Sequence, residues 1–161
     1  MIEIEKTFLV KKVPSDFNLY KVYKIKQGYI SQAPSPLRIR QKNDKFEITK
    51  KIPLKEGDYS SVEEINIPLT EKEFNKLWTL SERYLEKDRY IVPIENNLIA
   101  ELDIYKGELK GLMVVEVEFE SEEQMNLFKP LDWFGRDITQ EEFSSNSFLA
   151  GKNFEEIKKY F

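Results

Sequence analysis

The sequence contains no cysteine and no histidine among its 161 residues. Without cysteine there can be no disulfides, thiolate nucleophiles or zinc ribbons, and without histidine there can be no imidazole acid–base catalysis, Ser-His-Asp triad or histidine-ligated metal. Any chemistry must therefore use carboxylates, lysine, arginine, hydroxyl groups or a bound ion. A metal held by carboxylates and water alone would be a hard cation such as Mg²⁺ or Mn²⁺.

Long apolar runs are also missing, since no stretch approaches the roughly 20 residues that a membrane-spanning helix needs. The N-terminus lacks the pattern of a signal peptide, so we expect a cytoplasmic protein that does not bind membranes. The net charge of −4, from 25 basic and 29 acidic residues, provides no general attraction to nucleic acid, which we do not expect as a partner. The length and the absence of a linker-like stretch predict a single domain over residues 1–161.

Most of the chain alternates between apolar and polar residues, which is the pattern of half-buried β-strands. Eight strands are predicted, at residues 2–10, 26–31, 37–41, 45–52, 62–67, 84–94, 98–105 and 112–120. Turn-forming residues predict loops at 33–36 and 55–58. Because the connections are mostly short, we predict an α+β fold in which the strands form an antiparallel sheet or barrel and helices pack outside it.

Helical signals are fewer than strand signals. Residues 70–73 and 121–124 resemble capping boxes and each opens a predicted helix. Further helical segments are predicted at 139–143 and 154–160. We interpret residues 154–161 as an amphipathic tail that covers one end of the barrel, with a dimer contact as its alternative role.

The polar faces of several predicted strands carry paired charges of one sign. The pairs that share a face are Glu3 with Glu5, Arg38 with Arg40, Lys87 with Arg89, Glu101 with Asp103, and Glu116 with Glu118. These faces are either solvent-exposed surfaces with cross-strand ion pairs or, if the sheet closes, the walls of a channel. Such a channel could hold a polyphosphate with divalent ions, because cations contact phosphoryl oxygens and carboxylates hold the metal.

Short motifs follow one another in order along nearly the whole chain. They begin with Glu3-Ile4-Glu5-Lys6-Thr7, continue at 26–30, 37–40, 48–51, 64–68, 85–90, 101–103, 111–118 and 133–139, and end with Asn146 and Leu149. Together this set resembles the CYTH family, also called the triphosphate tunnel metalloenzymes. The resemblance implies an eight-stranded antiparallel closed β-barrel, a tunnel open at both ends, and hydrolysis or cyclisation of triphosphates with Mg²⁺ or Mn²⁺.

The resemblance also implies roles for the charged residues. The implied metal ligands are Glu3, Glu5, Asp103, Glu116 and Glu118. The implied substrate-binding residues are Arg38, Arg40, Lys51, Glu64, Lys87 and Arg89, and the implied catalytic residues are Glu3, Glu5, Lys87 and Arg89. These roles suit the side chains, because arginine binds phosphate with two parallel bonds and lysine supplies a movable point charge.

Two positions depart from the family pattern. Thr7 stands where the signature has lysine, with Lys6 expected on the opposite face, and Asn66 stands where a further acidic residue is expected. We predict metal-dependent hydrolysis of inorganic tripolyphosphate, a small-molecule substrate, by a monomer or a homodimer. The alternatives are hydrolysis of thiamine triphosphate or nucleoside triphosphates, conversion of ATP to cyclic AMP, and a non-catalytic polyphosphate- or nucleotide-binding module. Thr7 and Asn66 favour the binding module.

Overall fold

The computed structural model describes residues 2–31, 37–56 and 60–161. In these ranges the strands are Ile2–Val10 (β1), Lys21–Tyr29 (β2), Leu37–Lys42 (β3), Lys45–Pro53 (β4), Ser61–Leu69 (β5), Arg83–Pro93 (β6), Ile99–Tyr105 (β7), Met113–Phe119 (β8) and Phe134–Asp137 (β9). The α-helices are Glu71–Trp78 (α1), Glu122–Leu127 (α2), Asn146–Leu149 (α3) and Phe154–Ile157 (α4). Within these ranges no helix is both long enough and apolar enough to cross a bilayer.

The first eight strands close into an antiparallel barrel. Their order is β5-β4-β3-β2-β6-β7-β8-β1, and β1 pairs with β5 through Ile2↔Glu63, Glu3↔Val62 and Ile4↔Ser61 to complete the ring. Since closure leaves few unpaired strand edges, the backbone polar groups of the wall find partners within the sheet. The predicted closed eight-stranded barrel is therefore confirmed.

Two features of the sheet differ from the prediction. Strand β2 begins at Lys21, five residues before the predicted start at 26, and the short strand β9 pairs with β1 through Phe8↔Asp137 and Val10↔Phe134. β9 has four residues, too few for a period of two to stand out in the sequence. The predicted loop at 33–36 and residues 57–58 of the other predicted loop lie outside the described residues.

One hydrophobic core lies on the outer face of the wall formed by β1, β7 and β8. Phe8, Val115 and Val117 are almost fully buried there. The segment that carries α2 and β9 covers them, and the ring centroids of Phe8 and Phe134 lie 5.1 Å apart. Because apolar side chains are buried outside the wall, the opposite face of the same strands is left to polar side chains.

Helix α1 packs on the outside of β3, β4 and β5. Its capping box is complete: Thr70 Oγ1 accepts from the Glu73 amide, and the Glu73 carboxylate accepts from the Thr70 amide at 2.8 Å. Phe74 is the buried anchor of the helix, and its ring centroid lies 5.1 Å from that of Phe46 on β4. Both predicted capped helices are present, although the predicted helix at 139–143 is replaced by a 3₁₀ turn at Glu142–Ser144.

Residues 142–161, here called the C-terminal segment, cover one end of the barrel. A buried cluster joins interior residues of four strands to this segment, and its members include Tyr29, Leu85, Tyr105, Val114, Leu149, Ala150 and Ile157. The segment is held further by a hydrogen bond of 2.5 Å from Arg83 Nη1 to the carbonyl of Ser147. The tail therefore covers a barrel end as interpreted from the sequence, and the expectation of a tunnel open at both ends is wrong for this end.

Candidate active site

The barrel interior is lined by charged side chains that meet across strands that are not neighbours. Lys51 on β4 reaches Glu3 on β1, and Arg89 on β6 reaches Glu116 on β8, in each case across the strand between them. Side chains converge in this way on the concave side of a closed sheet, and Arg38, Lys87, Arg89 and Asp103 are buried there. The faces predicted from alternation are thus the inner face of the barrel, and the exposed-surface alternative is wrong.

Arg89 is the centre of the first interior cluster. Its Nε and Nη2 each donate to a different oxygen of Asp103 at 2.7 Å, and the guanidinium also binds Glu101 and Glu116. Burial would lower the pKa of Arg89, but Asp103, Glu116 and Glu101 raise it above its usual range. Burial opposes the ionisation of Glu116, yet Arg89 and Lys87 lower its pKa to about 2. Arg89 and Glu116 therefore hold each other in their charged forms.

Lys87 belongs to the same cluster and is only 2% exposed. Its ammonium group donates to Asp103 and, at 3.3 Å, to Oδ1 of Asn146 in the C-terminal segment. Burial lowers the pKa of Lys87 although Asp103 acts in the opposite direction. Lys87 is thus a desolvated cation held between a strand and the barrel cover.

Lys51 is the centre of the second interior cluster. Its Nζ lies 2.7 Å from Glu3 and 3.1 Å from Glu64. Burial disfavours the charge on Lys51, but Glu5, Glu3 and Glu64 together raise its pKa above the usual range. Burial likewise opposes ionisation of Glu64, and Lys51 and Arg38 lower its pKa to about 2.

Arg38 is buried beside this cluster with unused hydrogen-bonding capacity. Its Nη2 donates to Thr49 Oγ1 at 3.2 Å and lies 3.7 Å from Glu64. Its Nε is buried and has no hydrogen-bond partner among the described residues. An unpaired donor on a buried cation is costly, and an anionic ligand beside Arg38 would remove that cost.

Arg40 lies farther along the same strand face and is bound differently. Its Nε donates to Glu47 of β4 at 2.6 Å, within a half-buried ion pair. The structure therefore places Arg40 on the interior face, as predicted, but pairs it with a carboxylate that the site prediction omitted. Glu101, the third partner of Arg89, was also omitted, although it shares a strand face with Asp103.

The remaining carboxylates, Glu3, Glu5 and Glu118, crowd one part of the interior. Glu5 and Glu118 stand directly opposite each other on β1 and β8, and like charges in such a pair repel. Burial raises the pKa of Glu5 to about 7, where Lys51 opposes the effect of Glu116, Glu3 and Glu118. Burial, with Glu101 and Glu3, also raises the pKa of Glu118. This region has an excess of negative charge that a cation would relieve.

These oxygen donors fit a hard divalent cation. Magnesium is commonly held by one or two carboxylates together with substrate phosphates and water, rather than by a cage made only of protein groups. In the described part of the chain, no group of three acidic, histidine or cysteine residues is arranged to hold a metal by itself. The facing pair Glu5 and Glu118, with Glu3 beside it, would supply only part of the ligand set of such an ion.

The two departures from the family signature are built into the interior in different ways. Thr7 stands opposite Glu116, and its backbone amide donates to Thr139 Oγ1 at 3.0 Å. Asn66 accepts from Thr49 at 2.6 Å and donates to Glu64 at 2.7 Å. Lys6 lines an outer cavity with Asp137 and Glu141, among others, and so points away from the tunnel as expected.

A closed antiparallel barrel with cations and carboxylates on facing inner walls defines the class of triphosphate tunnel proteins. No family model matches the chain. Two curated relatives match the chain. An inorganic triphosphatase of Nitrosomonas europaea is 39% identical over 154 residues, which covers 93% of this chain and 97% of the relative. An inorganic triphosphatase of Acetivibrio thermocellus is 33% identical and covers 98% of each chain. The protein therefore belongs to the CYTH triphosphate tunnel family.

Solved structures agree with this assignment. The crystal structure of the inorganic triphosphatase NE1496 matches with a TM-score of 0.68 and 33% identity, covering 92% of this chain and 93% of the other. A Hippeastrum protein described as an adenylyl cyclase with dominant triphosphatase activity matches with a TM-score of 0.54 and 17% identity. The second likeness is one of fold alone.

Proposed function

We propose that the protein hydrolyses inorganic triphosphate inside the barrel with the help of Mg²⁺ or Mn²⁺. The single observation that carries this proposal is the buried Arg38 with its unpartnered Nε, in a tunnel that also holds the buried cations Lys87 and Arg89 and the partly exposed Lys51. A short polyanion without an organic group would neutralise these charges. The curated relatives, both inorganic triphosphatases at 33% identity or more, support the same substrate.

The proposed cation site consists of Glu3, Glu5 and Glu118, with Glu116 and Asp103 on the Arg89 side. A divalent ion bound there would neutralise phosphoryl oxygens and polarise the phosphoanhydride. The carboxylates suit this role because Glu5 and Glu118 face each other across β1 and β8, where a divalent ion would offset their mutual repulsion.

The chain's own residues would bind and orient the triphosphate. Arg38 would donate its Nε–H to a phosphoryl oxygen, and Lys51, Lys87 and Arg89 would stabilise the negative charge that shifts during phosphoryl transfer. Arg40 would add a further cation at the edge of the site. The proton of the attacking water needs a carboxylate as acceptor, because the chain has no histidine, and Glu3 and Glu5 are the catalytic carboxylates that the family resemblance implies.

The test is release of inorganic phosphate from tripolyphosphate, ATP and thiamine triphosphate, each with Mg²⁺, Mn²⁺ or excess EDTA. We expect turnover of tripolyphosphate that requires the divalent ion and exceeds the turnover of both organic triphosphates. Arg38→Met should raise KM, whereas Arg136→Met, an exposed arginine outside the tunnel, should leave it unchanged. Turnover that persists in EDTA would contradict the metal requirement.

A non-catalytic binding module is the second candidate, favoured by Thr7 in place of the signature lysine. This candidate predicts that tripolyphosphate raises the melting temperature while no substrate is hydrolysed. Conversion of ATP to cyclic AMP would release pyrophosphate rather than phosphate, and a separate pyrophosphate measurement on the ATP reaction would detect it. We also propose that the chain acts as a single cytoplasmic domain, monomeric or homodimeric, without a nucleic acid or membrane partner.

A further inference from the structure

Asn146 is the residue through which the C-terminal segment reaches the charged interior. Its Oδ1 accepts a hydrogen bond of 2.6 Å from the hydroxyl of Tyr105 and one of 3.3 Å from Nζ of Lys87, 59 residues earlier in the chain. Tyr105 is 1% exposed, so the first of these bonds is shielded from water. One carbonyl oxygen thus connects a core tyrosine with a tunnel cation.

The backbone around Asn146 is well anchored. Ser145 caps α3 by accepting from the Phe148 amide at 3.2 Å, and the Asn146 carbonyl accepts from the Ala150 amide at 3.0 Å. Leu149 and Ala150 belong to the buried cluster that covers the barrel end. The side chain of Asn146 therefore projects from a rigid support, which is what a precise hydrogen bond requires.

The ammonium group of Lys87 has three N–H donors. Among the described residues, Asp103 and Asn146 accept two of them, from β7 and from the C-terminal segment. Two acceptors at fixed positions determine the orientation of an ammonium group, which otherwise rotates freely. The third N–H then points in a fixed direction and is available to a further acceptor in the tunnel.

We propose that Asn146 is a positioning residue, which orients Lys87 so that its remaining N–H meets a phosphoryl oxygen of the bound triphosphate. This inference rests on the proposed triphosphatase function. Tyr105 holds the amide oxygen in place, and Asp103 supplies the counter-charge.

The charge of Lys87 and its orientation by Asn146 have separable effects on the kinetics. Loss of Asn146 leaves the charge of Lys87 in the tunnel, so the general attraction of the polyanion is retained. However, the hydrogen bond from the oriented N–H of Lys87 to a phosphoryl oxygen matters most when charge develops on the phosphoryl group. Its loss therefore affects the transition state more than the bound substrate. A positioning role therefore predicts a fall in kcat with little change in KM.

The experiment compares three single variants with the wild type, with tripolyphosphate and Mg²⁺. Asn146→Leu should lower kcat about tenfold and leave KM within about twofold. Asn146→Asp keeps the acceptor oxygen but adds negative charge, so it should retain kcat within about threefold and raise KM. Ser147→Ala, the adjacent control, should leave both constants unchanged. A wild-type kcat in Asn146→Leu would overturn the proposal.

A double-mutant cycle shows whether Asn146 acts through Lys87. Lys87→Met should lower kcat, and addition of Asn146→Leu to that variant should lower kcat no further. If the two losses multiply, Asn146 acts independently of Lys87 and the positioning role is wrong. Melting temperatures of all variants show which changes in rate come from a loss of folding.

A spectroscopic measurement separates this inference from the proposed function. In lysine-¹⁵Nζ NMR spectra of the full chain, the Lys87 ammonium signal is identified by its disappearance in Lys87→Met. We expect slow exchange of its protons with water in the wild type and in Asn146→Asp, and clearly faster exchange in Asn146→Leu. Unchanged exchange in Asn146→Leu contradicts the inference, even if no triphosphate is hydrolysed. Absence of turnover with the expected exchange pattern contradicts only the proposed function.

Discussion

At the scale of single residues, the interior side chains differ mainly in the charge that each one meets. Glu116 and Glu64 face guanidinium or ammonium groups and have pKa values of about 2. Glu5 is half-buried opposite another carboxylate, and desolvation raises its pKa to about 7. Glutamates of equal intrinsic acidity therefore acquire different roles, because the environment shifts each pKa in its own direction.

Thr7→Lys tests the clearest departure from the family signature. Thr7 shares the inner face with Glu3 and Glu5, so a lysine there would extend into the tunnel and donate a charge-assisted hydrogen bond to a phosphate oxygen. We expect tripolyphosphate to bind about tenfold more tightly, as measured by titration calorimetry. Lys6→Thr, on the outer face, is the matched control and should leave affinity unchanged. Unaltered affinity in Thr7→Lys would show that the tunnel is adapted to threonine.

Glu64→Gln tests the electrostatics of the Lys51 cluster through pH. Lys51 and Arg38 lower the pKa of Glu64 from its usual 4.5 to about 2 despite burial, so ionised Glu64 stabilises the fold. This stabilisation is complete above pH 4.5 and is lost as the pH falls through 2. Urea unfolding should show Glu64→Gln to be less stable than wild type at pH 7, with the difference shrinking toward pH 2. The exposed Glu63→Gln is the control, and a difference that is independent of pH would contradict the assignment.

At the scale of elements, the outer face of several strands packs in a hydrophobic core and their inner face carries charged groups. The outer face of β1 and β8 carries Phe8, Val115 and Val117, which are buried by β9 and the α2 segment. The inner face of the same strands carries the carboxylates. Helix α1 plays the corresponding part for β3 and β4, covering the outer face of the strands that hold Arg38 and Lys51.

Thr70→Ala tests how much the α1 capping box contributes. Both reciprocal bonds of the box, between Thr70 and Glu73, depend on the Thr70 side chain or on the backbone conformation that it stabilises. We expect the free energy of unfolding to fall by about 1 kcal/mol. Lys72→Ala, an exposed change in the same helix, should stay within about 0.5 kcal/mol of wild type. Equal losses in both variants would mean that α1 is stabilised by packing alone.

At the scale of the whole molecule, barrel closure brings together charges that repel as well as charges that attract. Glu5 and Glu118 become direct neighbours because β1 pairs with β8 in this register. The cover over one barrel end adds a contact from the C-terminal segment to Lys87. The ligand-free protein therefore carries a local electrostatic cost, which bound cations and phosphate would change.

Glu5→Gln and Glu116→Gln should have opposite effects on the stability of the ligand-free protein. The raised pKa of Glu5, about 7, means that its ionisation destabilises the fold increasingly as the pH rises from 4.5 through 7. Without divalent ions at pH 8, Glu5→Gln should therefore melt several degrees above wild type, and the gain should vanish near pH 4.5. Glu116→Gln should melt below wild type, since it removes a partner of Arg89. A lower melting temperature in both variants would contradict this distribution of charge.

The sequence by itself determined eight of the nine strands in the described part of the chain, their two faces and the identity of the charged groups, because a period of two is a local property of an extended chain. It also indicated the family through the order of its motifs. Only the tertiary structure decided which charges meet, such as Arg89 with three carboxylates and Lys51 with Glu3 and Glu64. It likewise placed Asn146 beside Lys87. These pairings depend on strand register, barrel closure and the path of the C-terminal segment, and contacts between residues tens of positions apart leave no periodic trace in the chain.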